Sequence, residues 1–356
     1  MNAIARRWFA RNSMMAILGL ALLGSGASGS PTGAQAAETG PPAKQIFGAA
    51  KLPAALPARA IGFYSKGCLA GGVAIPADGE TWQAMRLSRN RRWGHPDLIA
   101  LVERLSREAA AHDGWPGLLV GDIAQPRGGP MLSGHASHQV GLDADVWLTP
   151  MPDRRLNARE REELSATSML DKGTLYVDPD IWTPAHARLL IRAASYAEVE
   201  RIFVHPGIKK KLCDTWKGDR SSMGKIRPYY GHHYHFHIRI KCPPGASGCR
   251  SQNPPPAGPG CDASLAWWFT DEPWAPAEPE TDDKPKPAKR EIRLSDLPAA
   301  CARVADAPGP ASEAEATFRV DPVGNPVRNS GSESSTVKGF APLPRVVPLP
   351  AWRPRD

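Results

Sequence analysis

Four of the ten histidines of this 356-residue chain lie within residues 231–240, GHHYHFHIRI. Histidine is the commonest metal ligand and the usual general base near neutral pH. Alternate side chains of a β-strand share a face, so His235 and His237 would point one way while Phe236 and Ile238 point towards a core. Two imidazoles on one strand face predict a shared metal site, in which both are ligands or one is a ligand and the other a base.

A second polar cluster, SGHASHQVGLDAD at residues 133–145, supplies the ligands that such a site still needs. His135 and His138 lie in a Gly/Ser-rich loop, and Asp143 and Asp145 lie on the strand predicted to follow it. A catalytic zinc ion takes three protein ligands and keeps one position open for water. One histidine of the loop, one aspartate of the strand and one histidine of HFH therefore predict a His₂Asp zinc site of the hydrolytic type.

The segments around these clusters mix helices and strands without a regular βαβ repeat. Apolar residues recur at helical spacing over 96–112 and over 184–199, each starting at or near a proline. Short apolar runs predict strands at 117–124, 143–149, 201–206 and 235–242. The pattern predicts an α+β fold, in which a small antiparallel sheet has flanking helices and long loops that carry the zinc site.

The start of the chain indicates export. A basic segment precedes the apolar stretch MMAILGLALLG at 14–24, which is too short to span a bilayer, and AQA at 34–36 supplies small residues for cleavage. We therefore predict that residues 1–36 are a signal peptide, cleaved near Ala36, and that the mature protein is periplasmic. No later segment is long and apolar enough to predict a transmembrane anchor.

Composition divides the rest of the chain into three parts. The Ala/Pro-rich residues 37–60 predict an extended lead-in, and the globular texture of 61–270 predicts the domain that holds the zinc. Residues 271–356 are rich in proline and charge. Such a composition buries too little apolar surface to fold alone, so we expect a largely disordered tail.

The chain contains six cysteines, an even number that predicts three disulfides in an oxidising compartment. The alternative, a set of zinc thiolates, is disfavoured because there is no C-x-x-C pair. Closeness in sequence suggests only the pair Cys242–Cys249.

The formal charge of +8, with a pI near 9.3, would allow a nucleic-acid partner if the charge formed one patch. Lysine and arginine are instead scattered and no nucleic-acid-binding motif is present, so we expect no nucleic-acid partner. A basic exported protein would meet an anionic polymer such as the cell wall or outer-membrane lipid, or its charge would serve solubility alone.

The motifs resemble those of a known family. SHQVGLDAD at 137–145 and HFH at 235–237 resemble the zinc peptidases of the lysostaphin and D-alanyl-D-alanine-metallopeptidase group. More narrowly, residues 45–270 resemble the penicillin-insensitive murein endopeptidases. The shared stretches include GCLAGG at 67–72, MRLSRNRRWGHP at 85–96, GDIAQPRGGPMLSGHASHQVGLDADVWL at 121–148, RIFVHPGIKKKLC at 201–213 and HFHIR at 235–239.

The resemblance implies a role for each residue of the site. His138, Asp145 and His237 would be the zinc ligands, and His235 would be the general base. His135 would lie at or beside the metal. His232 would belong to the catalytic residues, either steadying the oxyanion or giving a proton to the leaving amine.

The resemblance also implies the disulfides Cys68–Cys301, Cys213–Cys261 and Cys242–Cys249, which would pin the start of the tail to the domain. At one place the chain departs from the family pattern. Asp171 matches half of a second metal site, but the histidine expected before Trp182 is missing from DKGTLYVDPDIWTP at 171–184. We therefore expect one zinc ion and no complete second metal site.

The implied substrate is the peptide cross-link of peptidoglycan between D-alanine and meso-diaminopimelate. Arg89, Arg92 and Arg127 are candidates to bind the free carboxylates of its stem peptides, since arginine binds carboxylates bidentately. No serine-nucleophile motif is present, so penicillin should not inhibit. The alternatives are a D-Ala-D-Ala carboxypeptidase with the same zinc chemistry, a non-catalytic zinc-containing module that binds the cell wall, and a protein that stores or senses metal.

Overall fold

A computed structural model describes residues 40–276 and 290–320. The expected signal peptide at 1–36 lies outside these ranges. The described strands are β1 Arg59–Phe63, β2 Lys66–Ala70, β3 Val73–Ala74, β4 Trp82–Ala84, β5 Trp93–Gly94, β6 Leu118–Val120, β7 Asp143–Trp147, β8 Val199–Val204, β9 Ile226–Pro228 and β10 His235–Ile240. The described helices are α1 Ala43–Ala49, α2 Pro96–His112, α3 Ala158–Glu163, α4 Pro184–Ser195, α5 Pro206–Thr215, α6 Ala263–Ala266 and α7 Ala300–Asp306, together with several short 3₁₀ turns.

The central sheet has six strands in the order β4-β6-β7-β10-β8-β9. Its middle pairs, β6–β7, β7–β10 and β10–β8, are antiparallel, while the outer pairs β4–β6 and β8–β9 are parallel. The α+β class and the antiparallel centre are as predicted, and the parallel outer pairs are additional. In the register of the central pair, His237 lies opposite Asp145 and His235 opposite Trp147.

One face of β10 forms part of the main hydrophobic core. Phe236 and Ile238 are fully buried, as the alternation of HFHI predicts, and belong to the same core cluster as apolar residues of α2 and α4. Leu98, Val102 and Leu105 of α2 are all buried in this cluster. Because this face is filled by apolar packing, the histidines of β10 are held on the opposite face of the sheet.

Both predicted helices are present, and their ends follow from local sequence. Helix α2 begins at Pro96, where the Nδ1 atom of His95 accepts the backbone N–H of Asp97. Helix α4 ends at Ser195, although we predicted a helix to 199. The reason is that Tyr196 has extended backbone angles and strand β8 already begins at Val199.

The segment 37–60, predicted to be an extended lead-in, contains helix α1 over Ala43–Ala49. Phe47 and Ala43 on this helix are fully buried in a second, smaller core. Its other members include Cys68 and Cys301, so residues far apart in the sequence supply the surface that stabilises the helix. An Ala/Pro-rich composition alone gave no sign of that partner.

Of the predicted tail, the structure describes residues 271–276 and 290–320, and residues 290–320 also fold onto the domain. Helix α7 carries Cys301, which is bonded to Cys68. The pairs Cys213–Cys261 and Cys242–Cys249 are formed as well, so all three implied disulfides are confirmed. Residues 277–289 and 321–356 lie outside the described ranges. Within the part of the chain that the structure describes, no helix combines the length and apolarity needed to cross a membrane.

Candidate active site

The two polar clusters of the sequence meet at the pairing of β7 with β10. Because His237 lies directly opposite Asp145, their side chains share the sheet face that the core does not occupy. The His237 Nδ1 atom lies 3.2 Å from Asp145 Oδ1. An open cleft of about 570 Å³ lies over this face, and its walls include Arg89, His135 and His235.

His138 reaches the same carboxylate from the loop before β7. Its backbone has a φ of 66°, a left-handed conformation that is uncommon for a residue with a Cβ. The buried ring directs Nδ1 to the carbonyl oxygen of Ile123, to which it donates, and Nε2 towards Asp145 Oδ1 at 3.4 Å. The loop is therefore bent to aim one nitrogen lone pair at Asp145.

The donor set fits a cation. His138 Nε2 and Asp145 Oδ1 are both buried and have no hydrogen-bond partner among the described residues. Two such acceptor atoms facing each other are costly to bury unless a positive charge lies between them. His135 adds a third donor, since one ligand atom each from His135, His138 and Asp145 lies within 4.8 Å of the other two. The cluster is thus suited to bind a metal ion.

Asp143 orients the ring of His237. Its buried carboxylate accepts hydrogen bonds from His237 Nε2 at 2.8 Å, from Arg239 Nε at 2.7 Å and from the backbone N–H of His138 at 3.1 Å. With the His237 proton on Nε2, the lone pair of Nδ1 faces Asp145. Burial opposes the charge of Asp143, but Arg239 and His237 outweigh it and hold the pKa of Asp143 below its ordinary value.

Asp145 is also held in its charged form. Burial would raise its pKa, but the electrostatic interaction with the imidazole of His138 outweighs burial and brings the pKa of Asp145 well below the ordinary value for an aspartate. A carboxylate that stays ionised is what a metal ligand requires.

His235 and His232 stand beside this cluster as neutral bases. Burial lowers the pKa of His235 to about 4 and that of His232 to about 3. His235 Nε2 lies 3.6 Å from Asp145 Oδ1, and the ring centres of His235 and His232 are 4.8 Å apart. His232 donates Nδ1–H to the carbonyl oxygen of Tyr230 at 2.7 Å, so its Nε2 carries the free lone pair.

Of the arginines predicted to bind substrate, only Arg89 lines the cleft. Arg92 instead contacts the Ile75 carbonyl and the Glu313 carboxylate. The guanidinium of Arg127 donates to the carbonyl oxygens of Leu52, Val304 and Ala305 at 2.6–3.2 Å. It therefore links the segment that follows helix α1 to helix α7.

Arg91, from the same segment RLSRNRR, also lines the cleft beside Arg89. Both guanidinium groups contact the buried carboxylate of Asp122, Arg91 at 3.0 Å and Arg89 at 3.2 Å. Arg89 ends a 3₁₀ turn, Leu87–Arg89, and Asn90 has a left-handed backbone with a φ of 52°, so a turn rather than strand alternation brings the two guanidinium groups together.

An α+β fold whose central strands present histidines and a buried carboxylate to an open cleft defines a metallopeptidase. The family model described as penicillin-insensitive murein endopeptidase matches residues 60–306, and the chain belongs to that family.

Curated relatives carry the same description. A "Penicillin-insensitive murein endopeptidase" of Haemophilus influenzae is 47% identical over 230 residues, which cover 64% of this chain and 77% of the relative. Proteins of the same name from Klebsiella pneumoniae subsp. pneumoniae and Escherichia coli are 40% identical over 212 residues and 38% identical over 230 residues. Those matches cover 60% and 65% of this chain, and 77% and 82% of the relatives.

Proposed function

We propose that this protein is a zinc-dependent endopeptidase that hydrolyses the D-alanyl–meso-diaminopimelate cross-links of peptidoglycan in the periplasm. The observation that carries the proposal is the convergence of His138 Nε2, His237 Nδ1 and Asp145 Oδ1 under an open cleft, in a chain of this family. An open cleft suits a peptide bond inside a cross-linked polymer. The three disulfides fit the oxidising compartment in which that polymer lies.

His138, Asp145 and His237 would hold the zinc ion, and His135 lies beside them with Nε2 3.4 Å from Asp145 Oδ2. A zinc ion in such a site acts as a Lewis acid and makes water a nucleophile near pH 7. The protein's own contribution is to fix the donors beforehand. The Asp143 carboxylate holds the proton of His237 on Nε2, and the Ile123 carbonyl holds the proton of His138 on Nδ1, so the other nitrogen of each ring is free to bind the metal.

We assign proton acceptance from the attacking water to His235. Its imidazole is buried beside Asp145 and is neutral at pH 7, which leaves a lone pair to take the proton. His232 would then relay a proton to the departing amine nitrogen. Since its Nδ1–H is already donated to Tyr230, the relay would use Nε2.

Arg89 would bind a free carboxylate of the stem peptide. Its side chain is 49% exposed and uses Nη1 to contact Asp122, so further N–H groups point into the cleft. Penicillin acylates a serine nucleophile, whereas here histidines and aspartates surround the reaction centre. Ser133 does line the cleft, but its hydroxyl oxygen accepts a hydrogen bond from Arg91 at 3.3 Å.

The test is chromatography of purified cross-linked muropeptide dimers after incubation with the mature protein. We expect conversion of dimers to monomers with penicillin present, and none after treatment with EDTA. His237→Ala should be inactive, while His112→Ala, which removes an exposed histidine at the end of α2, should retain activity. Intact dimers that lose only terminal D-alanine would instead identify a carboxypeptidase, and unchanged dimers with bound zinc would identify a binding module.

A further inference from the structure

The exposed aromatic side chains of this protein are not scattered. Of the residues that the structure describes, every exposed tyrosine and tryptophan lies in or next to one connected set of rings, which we call the aromatic wall. Its exposed members are Tyr229, Tyr230, Tyr234, Trp267 and Trp274, and the exposed Tyr176 lies beside it, stacked on Phe269, the residue that follows Trp268. Exposed aromatic surface gathered in one place marks an interaction site, because it contributes nothing to the core.

The wall is continuous with the cleft. Tyr230 and Tyr234 line the cleft, and Tyr230 also packs on Trp268 and Trp274, with ring centres 4.8 Å and 5.4 Å away. Trp267 packs on Trp268 at 5.2 Å and extends the surface outwards. A polymer held in the cleft would therefore meet the wall next.

The rings of the wall are fixed in place. The Tyr230 hydroxyl donates to the Pro273 carbonyl oxygen at 2.9 Å, and Trp274 Nε1–H donates to the Trp268 carbonyl oxygen at 2.8 Å. Trp274 also stacks on the ring of the buried His205. Flat apolar faces held rigidly in this way cost little entropy when a ligand binds.

The charge of the segment that carries Trp267 and Trp274 indicates the ligand of that part of the wall. Residues 262–276 carry Asp262, Asp271 and Glu272 and no lysine or arginine. An anionic membrane surface attracts basic residues and would be repelled here. Sugar rings are neutral, present flat C–H faces to aromatic rings and offer hydroxyl groups to carboxylates.

We propose that the aromatic wall binds the glycan strand of peptidoglycan, the chain of neutral N-acetylated sugars to which the stem peptides are attached. This inference rests on the proposed function for the identity of the polymer. It adds a second subsite, which recognises sugar while the cleft takes the peptide.

Binding to peptide-free glycan strands whose lactyl carboxylates are capped as amides, and which are therefore neutral, is measured by isothermal titration calorimetry and tests this inference without any turnover. Trp267→Ala and Tyr176→Ala remove side chains that are 37% and 53% exposed and that do not line the cleft. We expect each to raise the dissociation constant by roughly three- to tenfold, the size of one aromatic contact. Leu164→Ala is the matched control, since it removes an apolar side chain of 37% exposure outside the wall.

Unchanged glycan affinity in both variants would overturn the inference. It would also be overturned if the two variants bound anionic vesicles more weakly than wild type while binding glycan equally well. Measuring the cleavage of dimers with and without sugars distinguishes a failure of this inference from a failure of the proposed function. We expect Trp267→Ala to cleave cross-linked peptide dimers without sugars within twofold of wild type, and to lose the preference of wild type for sugar-bearing dimers. If no dimer is cleaved while glycan binding depends on Trp267, the proposed function fails and the sugar subsite stands.

Discussion

Replacement of Asp143 by asparagine tests how the site is held together. The carboxylate of Asp143 is fully buried and accepts three hydrogen bonds, of which two come from His237 and Arg239. Asparagine keeps the size of the side chain, but it removes the charge and turns one acceptor into a donor. His237 then loses the partner that fixes its proton on Nε2, and Arg239 becomes a buried charge without its counterion.

Two effects of different size are expected. When a histidine that binds a metal loses the group to which its other ring nitrogen is hydrogen-bonded, metal affinity falls by about 10- to 100-fold. Breaking a buried ion pair by removing one partner costs about 3–5 kcal/mol of folding free energy. Zinc affinity is measured by competition with a chelator and stability by urea denaturation of the metal-free protein.

Asp113→Asn is the matched control for this experiment. Asp113 is also a buried aspartate paired with an arginine, with Arg192 Nη2 2.9 Å from Oδ1, but it does not touch the metal cluster. We expect this variant to lose stability and to keep its zinc affinity. Zinc affinity within threefold of wild type in Asp143→Asn would refute the argument that Asp143 orients His237.

Three further predictions concern stability and substrate binding. Burial raises the pKa of Glu103 from 4.5 to about 7. The folded protein therefore retains this proton over that range of pH, where the unfolded chain loses it, and stability falls as the pH rises. Glu103→Gln should stabilise the protein by up to about 3 kcal/mol at pH 8 and by nearly nothing at pH 4, as measured by urea denaturation at both pH values. Replacing Cys68 and Cys301 together by serine should cost about 2–5 kcal/mol of stability without reductant, and an unchanged denaturation midpoint would contradict the role given to this link. Arg89→Ala should raise the KM for cross-linked dimers with little change in stability. Arg127→Ala should instead lower the melting temperature and leave the KM unchanged. If Arg127→Ala raised the KM and Arg89→Ala lowered the melting temperature, the two arginines would be wrongly assigned.

The sequence was sufficient to predict which two polar clusters would meet, but not which side chains within them would face each other. Alternation in HFHI separates a core face from a polar face, and this holds for Phe236 and His237. The pairing of β10 with β7, which sets His237 against Asp145, depends on contacts between segments some 90 residues apart, and periodicity carries no information about it. The ligand assignment rested on the family resemblance for that reason.

The segments that were predicted least well depend on distant partners. Helix α1 is stabilised by burial of Phe47 against residues near Cys68 and Cys301, which composition does not reveal. Nothing in the sequence distinguishes Arg127 from Arg89, and only the fold shows that the Arg127 guanidinium donates a hydrogen bond to the Val304 carbonyl oxygen. Trp274 was placed in the tail, because the acidic and proline-rich residues around it hide its packing on His205.

The central claim is that one zinc ion, held by His138, Asp145 and His237, is necessary for cleavage of peptidoglycan cross-links. The most direct measurement is to titrate metal-free protein with Zn²⁺ while following hydrolysis of a cross-linked muropeptide dimer. We predict that activity rises linearly and reaches its plateau at one equivalent of zinc, and that His138→Ala shows no such rise. Full activity before zinc is added, or a plateau that requires two equivalents, would contradict the account.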